Sequence, residues 1–167
     1  MSKIRLAGIV IESIVDGPGI RFVIFSQGCP HRCEGCQNPH TFDINAGYDS
    51  DTDDILTEIK KNPLVSGVTF SGGEPFLQAK SFSELAKKAR SAGLNVMSYT
   101  GYLYEDIINK FAQKPEWKEF IENIDILVDG PFDINKKNLL LKFRGSENQR
   151  IINVKESLKI GQAVVMS

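Results

Sequence analysis

The three cysteines of this 167-residue chain all lie within residues 29–36, at Cys29, Cys33 and Cys36. Three thiolates in so short a loop can surround one inorganic centre, and iron–sulfur clusters are held by cysteine thiolates. A [4Fe–4S] cluster needs four ligands, so three cysteines would leave one iron open to a chelating ligand from outside the protein. The odd number of thiols therefore fits a cluster with one vacant coordination position.

Two other kinds of site remain open for the same cysteines. A structural zinc ion could be held by the three thiolates together with His31 or His40, although zinc sites normally combine two separate ligand clusters. A redox dithiol could form between Cys33 and Cys36, which would leave Cys29 without a role. A non-catalytic zinc-binding module therefore stays as the alternative to an enzyme.

The composition is that of an ordinary globular protein, with 41% hydrophobic and 25% charged residues. Its 20 basic and 21 acidic residues give a net charge of −1, whereas proteins that bind nucleic acid usually carry a basic excess. The apolar runs are too short to cross a membrane, and the N-terminus shows no signal peptide. Because the cysteines have no distant partners for disulfides, we expect a cytoplasmic protein that binds neither nucleic acid nor membrane.

The elements that must position the cysteines alternate between apolar strands and amphipathic helices. Strands are predicted at 20–26, 65–71, 94–99 and 124–128, and helices at 52–61, 81–92, 105–113 and 157–160. Ser81 and Glu84 fit a capping box at the start of the second helix. Such alternation predicts parallel βα units in a single α/β domain over residues 1–167. The units are too few for a closed eight-stranded barrel, so we expect a partial, open β/α barrel, with a doubly wound sheet as the alternative.

Polar and glycine-rich motifs follow the predicted strands directly. QGC (27–29) follows the first strand, GGE (72–74) the second, TGY (100–102) the third and DGP (129–131) the fourth. Parallel α/β architectures place their active sites at the carboxyl ends of the strands. The four motifs are therefore expected to meet at one site.

The cysteine spacing, Cys-x3-Cys-x2-Cys, resembles the signature of radical S-adenosylmethionine enzymes. A second motif, SGGEP (71–75), resembles the Gly-Gly-Glu motif of that superfamily. The resemblance implies that Cys29, Cys33 and Cys36 hold a [4Fe–4S] cluster and that S-adenosylmethionine chelates its open iron. It also implies that the backbone of 72–74 receives the methionine amino group, since glycines can expose backbone groups to a ligand.

Longer motifs narrow the resemblance to glycyl-radical-enzyme activases, through VDGPGIR (15–21) and CQN (36–38). YTGY (99–102), LVDGPF (127–132) and FRGSENQR (143–150) resemble the activating proteins of the anaerobic, class III ribonucleotide reductase. That family implies an enzyme that cleaves S-adenosylmethionine reductively and generates a glycyl radical on the reductase by hydrogen-atom abstraction. An activase of another glycyl-radical enzyme, of the pyruvate formate-lyase type, is the enzymatic alternative.

The resemblance also implies partners and cofactor contacts. The partners would be the glycyl-radical subunit of the anaerobic ribonucleotide reductase and an electron donor such as a flavodoxin. Beyond the iron ligands, the residues implied to bind the cofactors are Gly35, Gln37, Gly72, Gly73, Glu74, Asp129 and Gly130.

Two positions depart from the family pattern. The residue before the last cysteine is often aromatic in the superfamily and here is Gly35, so the adenine must pack elsewhere. Related activases carry Asp-x-Lys after the fourth strand, and here Pro131 stands in place of the lysine. The missing cation could come from Lys136, Lys137, Arg144 or Arg150. Contacts to the cofactor carboxylate, the ribose or a partner peptide could involve Asp16, Arg21, Arg144 and Arg150.

Overall fold

The computed structural model describes residues 2–166, and this part of the chain contains seven strands and five α-helices. The strands are β1 (Lys3–Ser13), β2 (Arg21–Ser26), β3 (Tyr48–Asp51), β4 (Gly67–Gly72), β5 (Asn95–Tyr99), β6 (Ile126–Asp129) and β7 (Arg150–Asn153). The helices are α1 (Thr52–Lys60), α2 (Ala79–Ser91), α3 (Tyr104–Asn109), α4 (Pro115–Ile121) and α5 (Val154–Ile160). Short 3-10 turns lie at Pro39–Thr41, Pro75–Gln78 and Ile134–Lys136.

All seven strands form one sheet in the order β3-β1-β2-β4-β5-β6-β7. The four central strands β2, β4, β5 and β6 run parallel, while β1, β3 and β7 are antiparallel to their neighbours. The predicted α/β class is confirmed, and the sheet is mixed rather than purely parallel. Because the central strands are parallel, their carboxyl ends meet at one edge, where Ser26 pairs with Gly72 and Tyr99 with Val128.

The two faces of the sheet have different surroundings, because successive side chains of a strand point to opposite faces. On one face, side chains from the strands pack with all five helices in one hydrophobic core. The strand members of this core include Phe22, Ile24, Val68, Phe70, Val96 and Leu127. On the other face, Phe25, Ser71 and Tyr99 line a cavity. The helices therefore support the sheet from one side and leave the other side for a site.

Helix α2 differs from its prediction at its start. It begins at Ala79, directly after the 3-10 turn Pro75–Gln78. The capping box predicted at Ser81 and Glu84 is therefore wrong, since both residues lie inside the helix. The Glu84 carboxylate instead accepts a hydrogen bond from Thr52 Oγ1 at 3.0 Å, which joins α2 to the start of α1.

Four elements were not predicted, namely β1, β3, α4 and β7. Strand β3 has the sequence YDSD, whose aspartates and serine do not favour a strand, and it forms by pairing with β1. Two helices also differ from their predicted bounds. Helix α3 ends at Asn109 and not at residue 113, and α5 begins at Val154 and not at residue 157. Among residues 2–166, none of the helices has both the length and the apolar character needed to span a bilayer.

Candidate active site

A cavity of about 470 Å³ lies at the carboxyl ends of the parallel strands. Its wall includes the three cysteines, which are partly exposed and not joined by disulfides. All four motifs that follow the strands contribute to the wall. The motif residues that line the cavity are Cys29, Gly72, Gly73, Thr100, Gly101 and Gly130. The structure therefore brings the strand-end motifs together, as expected for parallel strands.

The cysteine loop, residues 28–38, is folded by local hydrogen bonds. The N–H of Cys36 donates to the carbonyl of Cys33 at 3.1 Å, which closes a turn between these two cysteines. The N–H of Asn38 donates to Cys36 Sγ at 3.4 Å, a type of contact that tunes cluster sulfur ligands. Arg32 and Gly35 have positive φ angles of 47° and 73°, so the left-handed backbone conformation occurs once between each pair of consecutive cysteines.

The three thiols are free and lie on one cavity wall, where they could bind iron once they are deprotonated. Burial raises the pKa of the Cys29 thiol, and the nearby Glu74 and Cys33 also raise it, whereas the N–H groups of His31 and Arg32 lower it. Iron is bound by the thiolate form of cysteine. Binding of iron by Cys29 would therefore release the proton of its thiol. Within residues 2–166, no three His, Cys, Asp or Glu side chains are arranged to hold a single metal ion.

The Glu74 carboxylate is completely buried and joins three segments of the site. It accepts hydrogen bonds from His31 Nε2 at 2.6 Å, from Thr100 Oγ1 at 2.9 Å and from the N–H of Gly101 at 2.8 Å. The N–H of Phe76 donates to its second oxygen at 3.1 Å. The Glu74 side chain thus ties the cysteine loop to the ends of β4 and β5 and does not line the cavity.

His31 is a site residue that the sequence suggested only as a zinc ligand. Its Nε2 is hydrogen-bonded to Glu74, and its ring makes an edge contact with Tyr102 at 4.5 Å between centroids. A Cβ atom at Gly101 would overlap the imidazole ring, which explains the glycine of the TGY motif. No local sequence signal could have identified this contact, since His31 and Glu74 are 43 positions apart.

The two glycines of the GGE motif allow a close approach between backbone segments. Gly72 has a φ angle of 86°, and the N–H of Gly73 donates to the carbonyl of Ser26 at 2.7 Å. A Cβ atom at Gly73 would overlap the carbonyl oxygen of Gly28 and lie 3.0 Å from that of Ser26. The absence of side chains at these positions therefore lets the end of β4 pack against the start of the cysteine loop.

Gly73→Ala is expected to displace the cysteine loop, because the added methyl group meets backbone atoms that cannot rotate away. The free energy of unfolding should fall by about 1–3 kcal/mol, the usual cost of overpacking, as measured by urea denaturation. The matched control is Gly8→Ala, since a Cβ at Gly8 would meet nothing within 4 Å, and its effect should stay within about 0.5 kcal/mol. Equal losses in the two variants would contradict this interpretation.

Asp129 and Arg150 form an ion pair in which the carboxylate is buried and the guanidinium is partly exposed. The fully buried Asp129 carboxylate accepts from Arg150 Nε at 3.0 Å and Nη2 at 2.5 Å, and from the N–H of Tyr104 at 2.8 Å. Arg150 also donates to Glu105 at 2.6 Å, and these hydrogen bonds raise the pKa of Arg150 and lower that of Glu105. Asp129 therefore does not line the cavity, whereas the adjacent Gly130 does.

Arg21 lies at the opposite, amino-terminal edge of the parallel strands and is buried. Its guanidinium donates to Thr69 Oγ1 at 2.7 Å and to the carbonyls of Val68 and Pro18 at 2.9 and 3.0 Å. Burial lowers the pKa of Arg21 to about 10. The structure thus gives Arg21 a role in anchoring the 15–21 segment, from which Asp16 reaches the cavity wall.

The remaining predicted residues fall into different surroundings. Gln37 and Arg144 line the cavity, while Lys136 and Lys137 are exposed beside it. Gly35 faces Ile134, and a Cβ atom at position 35 would overlap the Ile134 side chain. The φ angle of 73° disfavours a residue with a side chain at position 35, and such a residue would also have to displace the end of the Ile134 side chain.

Aromatic residues that the sequence did not single out supply much of the apolar cavity wall. These are Phe25, Phe42, Tyr99, Phe132 and Phe143. Burial raises the pKa of the Tyr99 phenol, and the negative charge of Asp16 raises it further. The cavity therefore combines thiols, glycine backbone and flat apolar rings, a set suited to a cluster and a nucleoside.

Similarity to known proteins extends over most of the chain. Residues 15–152 match a family model described as a 4Fe-4S single cluster domain. The anaerobic ribonucleoside-triphosphate reductase-activating protein of Enterobacteria phage T4 is 34% identical over 145 residues, which cover 82% of this chain and 86% of the relative. The protein of the same name from Escherichia coli is 32% identical over 145 residues, which cover 81% and 90% of the two chains.

More distant similarities are also found. The pyruvate formate-lyase-activating enzyme of Listeria monocytogenes serovar 1/2a is 35% identical over 130 residues, but the match covers only 49% of that enzyme and 75% of this chain. The crystal structure of QueE from Escherichia coli matches 59% of this chain and 52% of its own, at 18% identity and a TM-score of 0.48. This last likeness is too distant to support an argument.

Proposed function

From the premise that this chain belongs to the anaerobic ribonucleoside-triphosphate reductase-activating proteins, we propose how its cavity performs the activation. The protein is a radical S-adenosylmethionine activating enzyme, and its partner is a glycyl-radical enzyme. The observation that carries the assignment to this site is the position of three free thiols on the wall of one cavity, beside the Gly72–Gly73 backbone.

We propose that Cys29, Cys33 and Cys36 hold the [4Fe–4S] cluster and leave one iron for S-adenosylmethionine. When bound, the cluster supplies the electron that breaks a carbon–sulfur bond of S-adenosylmethionine. The contribution of the chain is to hold three sulfurs in one loop, with the N–H of Asn38 donating to Cys36 Sγ. The link from His31 to the buried Glu74 holds that loop against the sheet.

We propose that the backbone of Gly72, Gly73 and Glu74 receives the methionine end of S-adenosylmethionine. The nucleoside end would then lie along Gln37 and Gly130 on the same wall. Phe132 and Phe143 also line the cavity and offer flat apolar surfaces for the adenine, which answers the loss of an aromatic residue at Gly35. In this arrangement Asp129 positions the Gly130 segment through Arg150 rather than contacting the cofactor.

Four further assignments are proposals of the same kind. An electron donor such as a flavodoxin would reduce the cluster. A cytoplasmic location is supported by the three free thiols, since thiols persist in a reducing compartment. The single domain over residues 1–167 and the partial, open barrel are supported by one sheet with helices on one face and the cavity on the other.

The test is formation of a glycyl radical, detected by electron paramagnetic resonance. The protein, reconstituted with iron and sulfide without oxygen, is mixed with an anaerobic ribonucleotide reductase, S-adenosylmethionine and a chemical reductant. A radical is expected on the reductase and none on a variant whose radical-bearing glycine is replaced by alanine. A radical that forms on pyruvate formate-lyase and not on the reductase would instead support the alternative activase.

A further inference from the structure

Two consecutive leucines are almost fully exposed beside the cavity. Leu139 and Leu140 are 84% and 91% exposed, and they lie in the leucine loop, residues 137–146. Contact between apolar groups and water is unfavourable, and contiguous exposed apolar patches mark interaction sites. The two exposed leucines therefore indicate a surface that a binding partner covers.

The leucine loop has a defined conformation. Lys137 and Ser146 pair across its base as an isolated antiparallel bridge. The N–H of Asn138 donates to the carbonyl of Gly145 at 3.2 Å, and Asn138 Oδ1 accepts from the N–H of Leu140 at 2.9 Å. These contacts close a tight loop with its leucines at the tip, so the exposed side chains are presented at a fixed place.

The RGSENQR block anchors this loop to the end of β6. Gln149 Oε1 accepts from the N–H groups of Gly145 and Ser146, and Gln149 Nε2 donates to the carbonyl of Gly130 at 3.1 Å. Arg144 Nη1 donates to the carbonyl of Gln149 at 2.9 Å. The motif thus connects the leucine loop to Gly130, a residue of the cavity wall.

Apolar side chains border the cavity mouth from two directions. Leu139 and Leu141 line the cavity together with the cysteines. Val15, from the segment before β2, also lines it and is 70% exposed, and the adjacent Ile14 is 74% exposed. The leucine loop and the segment before β2 therefore both contribute apolar side chains to the cavity wall.

The leucine loop and its flanks also carry a local excess of positive charge. Between residues 133 and 147 the chain has Lys136, Lys137, Lys142 and Arg144 but only two acidic residues, although the whole chain has a net charge of −1. Within residues 2–166 no ion pair involves any of these three lysines. The surface therefore complements a segment with apolar residues flanked by carboxylates.

We propose that the leucine loop is the docking surface for the glycine-bearing segment of the glycyl-radical enzyme partner. The inference rests on the proposed function, because hydrogen abstraction at a glycine Cα requires that segment to enter the cavity mouth. The apolar residues of the segment would cover Leu139 and Leu140, and its carboxylates would lie near Lys137 and Lys142.

The test compares Leu140→Glu with Leu64→Glu. Both leucines are exposed, at 91% and 65%, but Leu64 lies before β4 at the opposite edge of the sheet. Leu140→Glu should raise the Kd for the anaerobic ribonucleotide reductase about tenfold or more, since each 1.4 kcal/mol of lost binding corresponds to a factor of ten. Leu64→Glu should leave the Kd within about twofold, and wild-type binding should weaken as salt rises.

Three measurements separate the possible failures. Cleavage of S-adenosylmethionine with a chemical reductant and no partner should be equal in the wild type and both variants, because Leu140 does not line the cavity. Wild-type affinity and radical yield retained in Leu140→Glu, or lost equally in both variants, would overturn the docking proposal alone. A wild-type protein that cleaves no S-adenosylmethionine would overturn the proposed function itself.

Discussion

Replacement of Cys33 by alanine is expected to remove the intact cluster and abolish S-adenosylmethionine cleavage, while the fold is kept. Two remaining thiolates cannot hold a [4Fe–4S] cluster that needs three protein ligands. The Cys33 side chain is partly exposed in a loop and belongs to no core cluster, so its truncation costs little packing. Iron and sulfide analysis after anaerobic reconstitution measures the first effect, and thermal unfolding followed by circular dichroism measures the second.

The control for this experiment is His40→Ala, because His40 was the other possible zinc ligand. His40 is exposed in the turn Pro39–Thr41, and a cluster held by cysteines alone should survive its loss with full iron content. If Cys33→Ala kept its iron and its cleavage activity, the ligand assignment would be wrong. If both variants lost a single bound metal ion together, the zinc alternative would be supported.

Glu74→Gln is expected to destabilise the protein by about 3 kcal/mol, because hydrogen bonds to a buried charged group contribute about 1.5–3 kcal/mol each. The amide would present an N–H₂ group to some of the four donors that now face the carboxylate, those of His31, Thr100, Gly101 and Phe76. Urea denaturation of the iron-free protein measures the change in the free energy of unfolding.

The same substitution should loosen the cysteine loop, since Glu74 holds it through His31. Loss of iron from the reconstituted protein to a chelator should therefore be faster in Glu74→Gln than in the wild type. Glu58→Gln is the matched control, because Glu58 is an exposed glutamate paired with Lys61, and exposed pairs contribute at most about 1 kcal/mol. Equal unfolding midpoints for the two variants would contradict the stabilising role of the Glu74 hydrogen bonds.

Local patterns in the sequence are sufficient to predict the strands whose ends form the site. The segments 20–26 and 65–71 are rich in β-branched and aromatic residues, and they are found as β2 and β4. Because parallel strands end at one edge, the placement of the motifs after them leads directly to the cavity. Strand β3 could not be found in this way, since its polar residues become a strand only through pairing with β1.

The contacts that hold the site together depend on distant residues and have no local signature. The Glu74 carboxylate is matched by donors from the cysteine loop and from the end of β5, and Asp129 is matched by Arg150 from β7. The resemblance implied a cofactor contact for Asp129 and for the backbone of Glu74, and the fold engages both side chains with partners from distant parts of the chain. Gly35 likewise faces a distant residue, since Ile134 lies far along the chain.

The most direct measurement is the electron paramagnetic resonance spectrum of the anaerobically reconstituted, reduced protein before and after addition of S-adenosylmethionine. We predict a coloured protein with about four irons per chain, and a signal that changes when the amino and carboxylate groups of S-adenosylmethionine occupy the open iron. A colourless protein that carries zinc, or a cluster signal that stays the same when S-adenosylmethionine is added, would contradict the account.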